Sequence, residues 1–292
     1  MISDRDAAFY REAGYLVVEN VLDRDSLAQA REIVAGFLDR ARGVAGHDSV
    51  YDLEPTHRPD APRVRRIKAP HLNHPFFARL AGYPPMVEIL KRLLGPDIRL
   101  YGSKINLKSP HYGSPVEWHQ DWAFYPHTND DVLAVGVMLD DCTVENGAML
   151  VLPGSHKGPT YDHHADGAFC GAIDPARETI DFTKAVPITG KAGSMSFHHV
   201  RAVHGSAQNI SDRPRALLLY EHAAADAWPL MGISDIKAFD AKMICGRSSN
   251  QPRIVAAPVR MPLPPAPHQG SIYENQTSTK QRYFEVKSDA LV

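Results

Sequence analysis

Apolar residues recur at helical spacing through much of the first hundred positions of the chain. In the second of these patterns, Leu27, Ala30 and Val34 fall on one stripe of a helix. Ser3 stands where its side chain can cap the first turn of the first helix. The pattern predicts a short β-strand at residues 15–18 and three helices, at about residues 3–13, from 23 or 25 toward 42, and at 86–94.

From about residue 98 the pattern changes to short apolar runs that are separated by turn-forming residues. Glu145-Asn146-Gly147 and Pro153-Gly154-Ser155 are two of these turn clusters. Short runs with such punctuation are typical of an all-β sandwich or barrel. Because strands and helices do not alternate, a parallel doubly wound sheet is not expected. The predicted strands span about residues 100–107, 132–139, 149–152, 194–197 and 215–220.

Three further stretches of the chain show no clear periodicity of apolar residues. Residues 43–60 are polar and predicted to be irregular, whereas residues 156–186 form a long polar loop of the length that active-site lids often have. We expect that loop to border the mouth of the site. The tail after about residue 249 is rich in proline and predicted to be extended. The expected organisation is a single domain, 1–292, with a helical part at about 1–97, a β core at about 98–225 and a C-terminal extension at about 226–292.

Composition narrows the class of protein. The formal net charge of −2 gives no global field toward nucleic acid or an anionic membrane, so neither is an expected partner. There is no apolar run of bilayer-spanning length and no charged-then-apolar leader, which favours a cytoplasmic protein. Cys142, Cys170 and Cys245 are odd in number and widely spaced, which fits a reducing compartment and no disulfide framework. The composition does not indicate an oligomeric state.

The candidate chemistry lies at His119-Gln120-Asp121 and at a histidine far downstream. Residues two apart on a strand face the same side, so His119 and Asp121 can reach one ion. A third ligand, for which His198, His199 and His204 are candidates, would complete the two-histidine, one-carboxylate triad of non-haem Fe(II) oxygenases. His204 is favoured because it stands at a strand end beside a glycine, where a side chain can approach a metal closely.

An arginine follows this histidine on an apolar stretch that is predicted to be a strand. The guanidinium of Arg215 could hold the far carboxylate of a 2-oxo acid through a bidentate pair of hydrogen bonds. Arg213 is the competing residue. It directly precedes a proline and is therefore expected in a turn, which favours Arg215 for this role.

Four segments together resemble the phytanoyl-CoA dioxygenase family of Fe(II)- and 2-oxoglutarate-dependent oxygenases, over roughly residues 5–222. The resemblance implies a mainly β fold with flanking helices (α+β) around a double-stranded β-helix, the jelly-roll or cupin-like core. It also implies that 2-oxoglutarate and O2 are consumed, that succinate and CO2 are released, and that a small-molecule substrate is hydroxylated or desaturated. The segments are Trp118-His119-Gln120-Asp121-Trp122, residues 145–149, Pro153-Gly154-Ser155-His156 and residues 204–215.

The resemblance also implies roles for individual residues. His119, Asp121 and His204 match the iron ligands of the family, and Arg215 matches the arginine that pairs with the distal carboxylate of 2-oxoglutarate. The resemblance further implies cosubstrate contacts from Ser206, Asn106 and Gln120. Because related halogenases lack a carboxylate at the position of Asp121, this chain resembles the hydroxylases and not the halogenases.

The sequence leaves the substrate and two other classes of function open. A cupin-like metal-dependent enzyme such as an isomerase would not need Arg215, and a catalytically silent binding relative would be expected to have lost a ligand. Four aromatic residues could line an apolar pocket, and a basic run could receive an anionic substrate. These residues are Trp122, Phe124, Tyr125 and Tyr112, and Arg63, Arg65, Arg66 and Lys68.

Overall fold

Two antiparallel sheets form the centre of the protein in a computed structural model, which describes residues 2–111, 113–266 and 270–286. The strands are β1 Tyr15–Val18, β2 Tyr51–Leu53, β3 Val64–Lys68, β4 Ile98–Lys108, β5 Val116–His119, β6 Val132–Met138, β7 Met149–Val151, β8 His164–Ala165, β9 Ala168–Phe169, β10 Val186–Ile188, β11 Met195–His199, β12 His204–Ser206, β13 Arg215–Ala224 and β14 Met243–Cys245. The larger sheet has the order β1-β11-β6-β13-β4-β3-β2, with β14 also paired to β4, and the smaller has the order β10-β7-β12-β5. A separate hairpin pairs β8 with β9.

The helices lie mainly before the β core. The capping box at Ser3 begins the first helix, as predicted, and a side chain in this position typically contributes about 1 kcal/mol. Asp23 caps the second helix, which ends at Arg40 before one 3-10 turn. The helices are α1 Asp4–Ala13, α2 Arg24–Arg40, α3 Pro70–Asn73, α4 Pro75–Leu80, α5 Pro84–Leu94, α6 Ile236–Asp240 and α7 Ile272–Asn275.

The central strands are buried on both faces, and alternate side chains serve two different purposes. On β4, Ile105 and Leu107 belong to the large apolar core that the N-terminal helices also enter. Lys104 and Asn106 face the opposite way and line the cavity between the two sheets. The same alternation on β13 sends Leu217 into that cavity. One face of the larger sheet therefore stabilises the fold while the other carries polar groups.

All five strands predicted in the core are present, with ends that differ by up to four residues. The prediction for residues 43–60 was incomplete because they contain β2, which pairs with β3. The strand predicted at Tyr15–Val18 joins the larger sheet as its edge strand, paired with β11. Part of the N-terminal region thereby extends the β core instead of only covering it.

Residues 156–186 do not occupy the place that was expected for a lid. Among the described residues, none from this loop lines the cavity. The loop instead packs behind β5, where the ring of Phe182 stacks on Trp118 with centroids 4.7 Å apart and Ile173 N–H donates to the Trp118 carbonyl. The loop is thus a wall behind the smaller sheet.

The C-terminal segment, residues 270–286, covers the edge of the smaller sheet that β5 forms. The side-chain carbonyl of Gln276 accepts a hydrogen bond from Glu117 N–H at 3.0 Å, and its amide donates to the Gly171 carbonyl. The Glu117 carboxylate accepts from the backbone N–H of Tyr283 at 2.9 Å. These bonds satisfy an edge strand that would otherwise present unpaired backbone groups.

Candidate functional site

The proposed metal ligands come from two adjacent strands of the smaller sheet. His119 is the last residue of β5 and His204 is the first of β12, and they are register partners in the antiparallel pair. Asp121 begins the 3-10 turn that follows β5. One ligand atom from each of the three residues lies within 4.8 Å of the other two, and all three residues are buried. This arrangement leaves one side of an ion open, as a facial triad requires.

Backbone carbonyls fix the orientation of both imidazoles. His119 Nδ1 lies 2.8 Å from the Glu117 carbonyl, and His204 Nδ1 lies 2.9 Å from the Ala202 carbonyl. Since a carbonyl can only accept, each Nδ1 carries the proton and each Nε2 keeps its lone pair. A histidine that donates through one nitrogen in this way is oriented to bind a metal through the other. The donor set therefore fits Fe(II).

The surroundings also favour the protonation states that a metal needs. Burial lowers the pKa of His119 well below its usual range, and the nearby His204 adds to the effect; burial lowers the pKa of His204 to about 4. Burial opposes ionisation of Asp121, but Lys104, a hydrogen bond with His198 and the neighbouring imidazoles outweigh it and hold the pKa of this carboxyl well below its usual range. At neutral pH the three groups are therefore two neutral imidazoles and one carboxylate.

The two adjacent histidines of β11 face opposite ways, as the alternation predicts. His198 Nε2 lies 3.5 Å from Asp121 Oδ2, so His198 supports the carboxylate from the cavity side. His199 packs on the other face against His156, with ring centroids 4.9 Å apart. This placement favours His204 over either neighbour as the third ligand.

Arg215 lines the cavity at the first residue of β13. Its Nη2 donates to the Gly147 carbonyl at 2.6 Å, while its buried Nε has no partner in the described part of the chain. A buried donor without a partner is costly, so this atom fits a bound carboxylate. Ser206 lines the same cavity. The competing Arg213 is exposed in a turn, and its Nε lies 3.8 Å from Asp212 Oδ1.

The remaining two predicted cosubstrate contacts are placed differently. Asn106 lines the cavity, and its Oδ1 accepts from Arg66 Nε at 2.9 Å. Gln120 does not line it. Its amide donates to the carbonyls of Pro159 and Arg201 and accepts from Tyr161 N–H, which uses its hydrogen-bonding capacity on the backbone. This geometry favours a role in anchoring the loop after residue 156.

The four residues of the basic run point in different directions. Arg65 forms a buried pair with Asp52 at 2.9 Å, and Arg63 donates to Thr56 Oγ1. Lys68 lies in a groove outside the cavity. Of the four, only Arg66 lines the cavity itself, and it also lines that outer groove.

Of the four aromatic residues expected around the substrate, the three that the structure describes do not line the inner cavity. Trp122 is buried in a cluster with Val132 and Val200, and Phe124 contacts His119 edge-on with centroids 5.8 Å apart. Tyr125 lies in the outer groove. Tyr112 lies outside the described residues.

Sequence reasoning missed several residues of the cavity wall, of which Lys104 and Ile272 are the most informative. Lys104 lines the cavity, and its Nζ lies 2.8 Å from Glu221 Oε1. The alternation of β4 could have indicated it, since Lys104 stands two residues from Asn106. Ile272, on α7, also lines the cavity. No local signal pointed to it, because it belongs to the tail and reaches the site only through tertiary packing.

The two facing sheets and the buried His-Asp-His cluster define a non-haem iron oxygenase of the jelly-roll type. A sequence model described as phytanoyl-CoA dioxygenase (PhyH) matches residues 10–217, and the chain belongs to this family. It is an Fe(II)- and 2-oxoglutarate-dependent dioxygenase, and Fe(II), 2-oxoglutarate and O2 are its cofactor and cosubstrates. The predicted family, fold and class of enzyme are thereby confirmed.

The chain is similar to several named relatives within this class. It is 41% identical over 279 residues to a "Probable alpha-ketoglutarate-dependent hypophosphite dioxygenase" of Stutzerimonas stutzeri, covering 94% of this chain and 97% of the relative. It is 29% identical over 234 residues to an ectoine dioxygenase of Sphingopyxis alaskensis, covering 74% of each.

Solved structures agree on the fold. The apoform of EctD from S. alaskensis superposes with a TM-score of 0.66 at 24% identity, over 88% of each chain. The alpha-ketoglutarate-dependent epimerase SnoN from nogalamycin biosynthesis gives a TM-score of 0.60 at 27% identity, over 88% of this chain and 94% of SnoN. Within the described ranges, no helix combines the length and apolar character needed to cross a membrane.

Proposed function

We propose that His119, Asp121 and His204 bind the Fe(II) ion and that Arg215, with Ser206 and Asn106, binds 2-oxoglutarate. The spacing of the ligand atoms and the free Nε2 of each histidine support the first role. The unpartnered Nε of buried Arg215 supports the second. Bound iron supplies the activation of O2, while Met149, Leu217 and other apolar side chains of the cavity keep water away.

We further propose that the primary substrate is a small monoanion, of which hypophosphite is the leading candidate. The observation that carries this proposal is the charge of the cavity wall. Three cations, Arg66, Lys104 and Arg215, line it against the single carboxylate of Asp121. The near full-length similarity to the hypophosphite dioxygenase points to the same class of substrate. A wall of this charge favours an anion over a neutral substrate.

The reaction with hypophosphite balances without a further reactant. One atom of O2 enters 2-oxoglutarate, which loses CO2 and becomes succinate. The other atom is inserted into a P–H bond, so that H2PO2⁻ becomes H2PO3⁻. We propose this hydroxylation rather than halogenation, since the carboxylate of Asp121 occupies the ligand position that a halide would need.

Turnover under ¹⁸O2 tests this assignment. The Fe(II)-loaded enzyme should convert hypophosphite into phosphite that carries one ¹⁸O atom, with one succinate released for each phosphite formed. Mass spectrometry of both products in chloride-containing buffer measures this directly. Ectoine and free L-proline, the substrates named for other relatives, serve as the comparison. A higher rate with ectoine than with hypophosphite, or a halogenated product, would contradict the proposal.

The whole chain is proposed to act as one oxygenase domain. Strand β1 of the N-terminal part completes the larger sheet, and Ile272 of the C-terminal extension completes the cavity wall, so neither end is separable from the site. We propose a cytoplasmic location, which the three free cysteines support.

A further inference from the structure

Arg66 has a buried guanidinium whose two terminal nitrogens are available to a ligand. It is only 8% exposed, and its Nε donates to Asn106 Oδ1 at 2.9 Å. Neither terminal nitrogen has a hydrogen-bond partner, and no carboxylate lies within ion-pair distance, among the residues that the structure describes. The side chain lines both the iron cavity and the outer groove.

Two contacts hold this guanidinium in one place. The bond to Asn106 fixes the Nε edge, and the Tyr273 ring lies 5.2 Å from the guanidinium carbon. The plane of the group is therefore set before any ligand arrives. A guanidinium held in this way offers parallel N–H donors, a geometry that matches two oxygen atoms of one oxyanion.

The other two cations of the cavity are accounted for by an acidic residue and by the proposed cosubstrate. Lys104 is paired with Glu221, and Arg215 is assigned to the distal carboxylate of 2-oxoglutarate. The single charge of Arg66 is thus the one that remains uncompensated among the cavity cations of the described ranges. A buried charge without a counterion is unfavourable, so a bound monoanion would relieve this cost.

We propose that the terminal nitrogens of Arg66 bind the oxygen atoms of the substrate monoanion and so direct its P–H bond toward the iron. Lys104 stands on the neighbouring strand, two residues from the register partner of Arg66, and lines the same cavity. It therefore contributes a second, weaker attraction. This assignment rests on the proposed function, which supplies the iron, the 2-oxoglutarate and the class of substrate.

Substitution of Arg66 tests the assignment. Arg66→Gln should raise KM for hypophosphite at least tenfold while KM for 2-oxoglutarate changes less than twofold. Arg66→Lys keeps the charge but loses the paired donors, so it should recover only part of the affinity. Arg63→Gln is the matched control, because it removes an equal charge from the residue directly before the same strand, whose side chain lies outside the cavity wall.

A binding measurement separates this proposal from the proposed function. Calorimetry under anaerobic conditions, on enzyme loaded with Fe(II) and 2-oxoglutarate, should show that hypophosphite, phosphite or sulfate binds to the wild type at least tenfold more tightly than to Arg66→Gln. If wild type binds such an anion through Arg66 but yields no phosphite, the reaction is wrong and the anion site stands. A larger loss of 2-oxoglutarate affinity, or equal anion binding by both proteins, would overturn the site.

Discussion

His119 and His204 lie directly opposite each other on antiparallel strands β5 and β12, and their ring centroids are 4.1 Å apart. Such a cross-strand pair has side chains on the same face of the sheet, so both Nε2 atoms reach the same space. The register of β12 on β5 thus decides the geometry of the iron site. A shift of one residue would turn His204 to the other face.

Replacing either histidine should abolish iron binding. His119→Ala and His204→Ala each remove one of three protein ligands and should show no stoichiometric Fe(II) binding in equilibrium dialysis and no turnover. His199→Ala is the control, since this histidine lies on the same strand as His198 but packs away from the cavity, against His156. Loss of iron in the control together with its retention in His204→Ala would show that the third ligand is assigned wrongly.

Replacing Arg215 should weaken 2-oxoglutarate binding selectively. Truncating one partner of a buried charge-assisted pair costs on the order of 2–5 kcal/mol, so Arg215→Ala should raise KM for 2-oxoglutarate at least tenfold. Arg213→Ala, two residues away and exposed, should leave it unchanged. Steady-state rates of succinate formation at varied 2-oxoglutarate concentrations give this KM for each protein. An unchanged KM in Arg215→Ala excludes this role.

Truncating the side chain of Ile272 should loosen the coupling between succinate release and substrate oxidation. This side chain closes the cavity from the C-terminal segment, so Ile272→Ala should admit water and raise the ratio of succinate released to substrate oxidised. Ile254→Ala is a matched control because Ile254 is 80% exposed. Product ratios and melting temperature should be measured together. An unchanged ratio in a variant that melts like wild type would mean that Ile272 does not seal the site.

Acid should destabilise the protein partly through His222. Burial lowers the pKa of this histidine from 6.5 to about 4, and its Nε2 donates to the Ala81 carbonyl at 3.1 Å. The unfolded chain therefore binds the proton first, so the contribution of neutral His222 is present above pH 6.5 and is lost as pH falls toward 4. The pKa difference corresponds to at most about 3 kcal/mol.

Denaturant unfolding at several pH values measures this dependence. His222→Gln retains a donor for the Ala81 carbonyl but cannot titrate, so its stability should fall less between pH 6.5 and 4 than that of wild type. His111→Gln, at an exposed position, should follow the wild-type curve. Parallel curves for all three proteins would contradict the prediction.

Most strands of the core could be predicted from the sequence, because the spacing of apolar residues and the turn-forming residues between them are local properties of the chain. The apolar runs within β6 and β13 are continuous since one face meets the helices and the other meets the second sheet. Among the strands that were missed, β2, β8, β9, β10 and β14 have only two or three residues each. Segments of that length carry too little pattern to be recognised without the partner strand that they pair with.

The sequence by itself determined which residues could form the site. The period of two indicated the face of Arg215 on its strand and predicted that His119 and Asp121 lie close together, although Asp121 stands in the 3-10 turn just after β5. The alternation along a strand predicts only that adjacent residues lie on opposite faces of the sheet. It does not indicate which of the two faces lines the cavity. Arg65 and Arg66 are alike in sequence, yet one pairs with Asp52 and the other lines the iron site. Strand register and the path of the C-terminal segment decided these outcomes, because both depend on contacts between residues far apart in the chain.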